Sequence, residues 1–68
     1  MENYIVRITA DGKLTFGVEV KATNQSEALS IVMNMLSGKW VELTDVNGNL
    51  SKLRTDRIIN LTAILQRH

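Results

Sequence analysis

Hydrophobic and polar positions alternate along residues 4–20. In YIVRITADGKLTFGVEV, Tyr4, Val6 and Ile8 take every second place, and Leu14, Phe16, Val18 and Val20 do the same after Asp11-Gly12. A period of two sends successive side chains to opposite faces of a strand, so each run predicts a strand with one buried and one wet face. Together they predict a hairpin. A two-residue turn at Asp11-Gly12 would set Ile8 opposite Thr15 and Val6 opposite Gly17, which wastes the pattern. A three-residue loop, Ala10-Asp11-Gly12, sets Ile8 opposite Leu14, Val6 opposite Phe16 and Tyr4 opposite Val18, with Gly12 in a left-handed bulge position. That loop is the expectation, because a one-residue slip would turn the apolar side chains to the wrong face.

The period then changes. In ATNQSEALSIVMNMLSG, the residues Ile31, Met35, Ala28, Val32, Leu36, Leu29 and Met33 gather on one side of a helical wheel, over an arc of roughly 200°. Asn24 followed by Glu27 resembles a capping box, with Asn in place of Ser or Thr, and Gly38 is a natural stop. A helix packed on one sheet face needs an arc of only a little over ~100°. The excess at Ile31 and Met33 calls for cover, from a curved core or from a second subunit. Met35 is expected in the core and Met33 at its periphery or at a dimer contact.

KWVELTDVNGNLSKLRT predicts a second hairpin. A loop of Val46-Asn47-Gly48 makes Asp45 the first and Gly48 the fourth residue of a type I turn, both favoured there. Val41 then faces Leu53 inside. Outside, Glu42 faces Lys52 and Trp40 faces Arg54, an opposite-charge pair and a cation–π pair. DRIINLTAIL, rich in β-branched residues, predicts a last strand with Ile59, Leu61, Ala63 and Leu65 on one face. Ile58, Asn60, Thr62 and Ile64 line the other, half of them apolar, which points to a central strand or one that meets a partner. A C-terminal helix is the competing reading.

The assembled fold class is α+β. The order is ββαβββ in a single domain over residues 1–68, a mainly antiparallel sheet with one α-helix packed on one face. A single sheet in the order 2-1-5-4-3 makes every neighbour antiparallel and strand 5 central.

Size adds a constraint. A 68-residue chain buries only about 60% of the surface its unfolded form exposes, and small domains commonly lean on disulfides, metals or self-association. There is no cysteine, and the lone histidine is His68. Neither disulfides nor thiolate zinc sites are available, which leaves self-association. The net charge is +1, too small for a field that would name nucleic acid or acidic lipid as partner. No long apolar run is present, so neither a signal peptide nor a membrane-spanning helix is expected, and the cytoplasm is the expected location.

Candidate chemistry is sparse. DVNGNLSKLRTD, Asp45 to Asp56, spaces oxygen-bearing side chains like a calcium loop. Such a loop wants glycine at its sixth position and glutamate at its twelfth, where this one has Leu50 and Asp56. A hairpin turn accounts for it better. Ser26, Ser30, Ser37 and Ser51 lack a neighbouring base, and Asp45 and Asp56 stand at opposite ends of a hairpin. Gly12, Gly17, Gly38 and Gly48 are isolated and form no phosphate loop. No enzyme, cofactor or metal site is expected.

Surfaces carry more. With the helix on one side, the open sheet face would hold Ile5, Arg7, Thr15, Trp40, Glu42, Lys52, Arg54, Ile58 and Ile64. Aromatic and basic residues on a sheet are how several small domains hold single-stranded nucleic acid, although such platforms use two or three rings and Trp40 is alone. Exposed Trp, Ile and Arg also suit a protein interface. The expected interaction surface is Arg7, Ile31, Met33, Trp40, Lys52, Arg54, Ile58 and Ile64. The first expectation is a non-enzymatic interaction module that forms a homodimer or meets another protein. The second is a nucleic-acid-binding domain using Arg7, Trp40, Lys52 and Arg54.

The stretch from Tyr4 to Leu29 resembles a pattern in small uncharacterised bacterial and prophage proteins. There a Y-x-V-x-I strand (Tyr4, Val6, Ile8) precedes V-x-V-x-A (Val18, Val20, Ala22) and a helix opening E-A-L (Glu27, Ala28, Leu29). The later W-V-x-L and R-I-I resemble their paired strands. The resemblance implies a bacterial or mobile-element origin and assigns no functional residue.

Overall fold

A computed structural model describes residues 1–11 and 14–66, the side chain of Leu14 excepted. The elements are β1 (Glu2–Ala10), β2 (Leu14–Ala22), α1 (Gln25–Met35), β3 (Trp40–Thr44), β4 (Leu50–Arg54) and β5 (Ile58–Leu65), with a 3-10 turn (Thr55–Arg57) between the last two strands. This is the α+β class with antiparallel pairing throughout, and the C-terminal segment is a strand.

The first hairpin keeps the expected faces but not the expected register. Ile8 pairs with Phe16, Val6 with Val18, Tyr4 with Val20 and Ala10 with Leu14. The ladder is displaced by two residues from Ile8 opposite Leu14. A two-residue displacement preserves which face each side chain takes, so the hydrophobic pattern cannot distinguish the two registers. The one adopted pairs both strands along their whole length, from Glu2 opposite Ala22 to Ala10 opposite Leu14. The proposed left-handed position of Gly12 lies outside the described residues.

The helix starts as expected. Asn24 is its N-cap, and its side-chain oxygen accepts from the Glu27 amide at 2.8 Å. Glu27 reaches back one residue further than a capping box requires. Its carboxylate accepts from the Thr23 amide at 3.2 Å and from the Thr23 hydroxyl at 2.9 Å. The C-cap is Leu36, so Gly38, at φ +77°, lies two residues past the cap and turns the chain into β3. Ala28 and Val32 are buried, Leu29, Ile31 and Leu36 are half-buried, and Met33 is exposed. Met35, expected in the core, is 43% exposed. Met35 is the last residue of α1, at the end of the apolar stripe and not on its flank.

The five strands form two sheets, not one. The first is β2-β1-β5; the second is the hairpin β3-β4 alone. The physical reason lies in the helix. Eleven helical residues reach about 16 Å, whereas nine-residue strands run about 30 Å. The helix cannot cover the inner face end to end. Val41, Leu43 and Leu53 of the hairpin join Tyr4, Val6, Ile8, Phe16, Val18 and Val32 in one buried core, and that burial replaces ladder bonds to β5. The hairpin tip is tied to the first sheet by the Val46 amide, which donates to the Gly17 carbonyl at 3.1 Å. A Cβ at Gly17 would lie 3.3 Å from Ile5 Cγ2 and 3.9 Å from Val46. The crowding a side chain would meet there is with Ile5 of β1, while Val46 lies at ordinary contact distance.

The second hairpin has the expected register, Val41 with Leu53, Glu42 with Lys52 and Trp40 with Arg54. The Gly48 amide donates to the Asp45 carbonyl at 3.0 Å and Gly48 has φ +85°. The Asp45 carboxylate accepts from the amides of Asn47 and Asn49, both at 2.9 Å. Turn chemistry accounts for the oxygen-rich stretch.

Strand β5 departs from expectation twice. It is an edge strand, paired only with β1. It also carries an irregularity opposite Thr9 and Ala10, so that Ala10 pairs with Ile58 and not with Ile59. The extra residue turns Ile58 toward the core and leaves Ile59 70% exposed.

Candidate functional site

Strand alternation in β3-β4 sends Val41, Leu43 and Leu53 inward and leaves Trp40, Glu42, Lys52 and Arg54 on the outer side. The Arg54 guanidinium lies 5.9 Å from the centre of the Trp40 ring, within cation–π reach. It is held by Asp56, with Nη2 donating to Oδ2 at 3.0 Å. Lys52 Nζ lies 3.8 Å from Glu42 Oε1. Arg57, on the 3-10 turn, lies 3.6 Å from Asp11 at the end of β1. Asp11, Trp40, Lys52, Arg54 and Arg57 line a cleft of about 330 Å³ where the second hairpin meets the end of β1. Its apolar lining comes from Ala10, Leu53 and the half-exposed Trp40.

A second feature is the outer edge of β5. The Gln66 amide donates to the Asn3 carbonyl. The antiparallel ladder therefore turns the backbone groups of Asn60, Thr62 and Ile64 toward β1 and those of Leu61, Ala63 and Leu65 away from it. Among the described residues no strand lies on that side. The Gln25 side-chain amide donates to the Ala63 carbonyl at 3.2 Å. Leu29 and Met33 follow Gln25 at helical spacing on the same flank, with Met33 62% exposed. On the opposite face of the sheet, Ile64 is 38% exposed beside Ile5.

The expected interaction surface is therefore divided. Trp40, Lys52 and Arg54 do come together, on the second hairpin. Arg7 and Ile64 stand on the open face of the three-stranded sheet, Arg7 opposite Thr62. The single open face is corrected to two, because the hairpin forms its own sheet. Met33 lies on the helix flank near β5, Ile31 is half-buried in the helix, and Ile58 packs against the core. Arg57, Asp11 and Gln25 were not expected at a surface site, and Ile59 was expected on the same face as Leu61, Ala63 and Leu65. The first two meet only through tertiary structure, and the bulge that exposes Ile59 has no local signature.

Among the described residues, no group of three His, Cys, Asp or Glu side chains is arranged to hold a metal ion. No described helix is long and apolar enough to cross a membrane. Comparison with protein-family models, curated proteins and solved structures finds no match.

Proposed function

We propose that the protein is a non-enzymatic interaction module that works as a homodimer, two copies joining along the free edges of β5. The observation that carries this reading is the composition of that edge. IINLTAIL has no charged residue and no proline. Natural proteins protect edges of this length with charges, prolines or a covering element. Among the described residues only the Gln25 amide, at one carbonyl, intrudes.

An antiparallel pairing centred on Thr62 sets Leu61 of one copy opposite Ala63 of the other and keeps each side chain on its own face. Met33 flanks the seam on the helical side, Ile64 on the open side. The result is a continuous six-stranded sheet. Self-association also supplies what a cysteine-free domain of this size lacks. A cytoplasmic setting in a bacterium or mobile element fits this reading.

Sedimentation equilibrium is the test. A dimer at micromolar concentration is expected; a monomer at high micromolar concentration overturns the proposal.

The nucleic-acid reading would rest on Trp40, Lys52 and Arg54. It is the weaker of the two. Lys52, Arg54 and Arg57 lie beside Glu42, Asp56 and Asp11 respectively, so these six side chains carry no net positive charge to attract the many phosphates of a strand. Arg7 belongs to the other sheet. Titration of Trp40 fluorescence with oligonucleotides at low salt should produce no change.

A further inference from the structure

The cleft beside Trp40 has a composition that the dimer leaves unused. We propose that it is a binding site for a small planar aromatic carboxylate. Three of its lining side chains are cations, Lys52, Arg54 and Arg57, and one, Asp11, is an anion. It is an open cleft of about 330 Å³, with room for one or two fused rings laid against its wall.

The cations do not play equal parts. Arg54 is committed, pinned by Asp56 at 3.0 Å and lying against the Trp40 ring. Both groups line the cleft, where an aromatic ring can join their stack. Arg57 is held loosely, 3.6 Å from Asp11, and Lys52 is 3.8 Å from Glu42, all four side chains more than half exposed. Exposed pairs with such separations hold each other weakly. A ligand carboxylate can therefore take over Arg57 in a two-pronged contact, with Lys52 as a second charge. Ala10 and Leu53 supply the apolar floor. A polyphosphate chain fits less well, because Asp11, Glu42 and Asp56 surround the same cations.

The test uses 2-naphthoate and its neutral carboxamide as probes, followed by ¹H–¹⁵N correlation spectra of the intact chain. Naphthoate is expected to shift the Trp40 indole resonance and the amides of Lys52 to Arg57, saturating in the high micromolar to millimolar range. The carboxamide should bind about tenfold more weakly. Arg57→Gln should weaken naphthoate about tenfold and leave carboxamide binding unchanged; Trp40→Leu should weaken both. Amide spectra of each variant report whether it is folded. Absence of shifts at millimolar naphthoate, shifts located elsewhere, or equal binding of acid and amide would overturn the proposal. So would displacement of naphthoate by a non-aromatic acidic peptide at lower concentration, which would make the cleft a peptide site.

Discussion

The side-chain amide of Gln25 donates to the main-chain carbonyl of Ala63 at 3.2 Å, across 38 residues of sequence. The bond anchors the first turn of α1 to the outer edge of β5. It also withdraws one acceptor from an edge that otherwise offers its backbone to a partner.

Gln25→Ala removes that anchor. The bond is partly shielded from water, and a loss of about 1 kcal/mol of folding stability is expected. Urea denaturation of the variant should show a lower midpoint with an unchanged slope.

Thr62→Glu separates folding from association. Thr62 is exposed and sits opposite Arg7 in the β1–β5 ladder, so a carboxylate there gains a cross-strand partner within one copy. Across the proposed seam it meets its own equivalent. Circular dichroism should be unchanged, while sedimentation equilibrium should show the dimer weakened by about tenfold or more. A dimer of unaltered strength would place the association elsewhere.

Gly48 tests the second turn. It has φ +85°, and a Cβ there would meet nothing within 4 Å. Any penalty on substitution is thus backbone strain and not a clash. Gly48→Val should cost about 2 kcal/mol, and Gly48→Asn clearly less, because Asn tolerates the left-handed region. Thermal melts of both variants give the comparison.

Asp45→Ala removes the acceptor for the amides of Asn47 and Asn49. Water can replace it at this exposed tip, so the expected loss is about 1 kcal/mol. The measurement is the unfolding midpoint, together with faster hydrogen exchange at those two amides.

Local chemistry was legible where neighbours in sequence settle the outcome. Asp45 and Gly48 identified the second turn and with it the register that pairs Trp40 with Arg54. Asn24 and Glu27 marked the helix start. The first hairpin was legible only in part. Its apolar alternation says which face each residue takes, but a displacement by two residues leaves that unchanged, so Ile8 meets Phe16 and not Leu14. Part of the candidate surface was legible too: Trp40, Lys52 and Arg54 share a face because they share a hairpin.

By itself, then, the sequence determined the strand and helix segments, the faces they bury and the tight turn at Gly48, because each depends on period and backbone preference over a few residues. Tertiary structure decided the rest. It placed β3-β4 in a sheet of its own, since a short helix leaves part of the inner face for Val41, Leu43 and Leu53 to cover. It made β5 an edge and turned Ile59 outward through a bulge. It brought Arg57 to Asp11 across the fold. None of these follows from local pattern, because each depends on how much apolar surface the other elements leave uncovered.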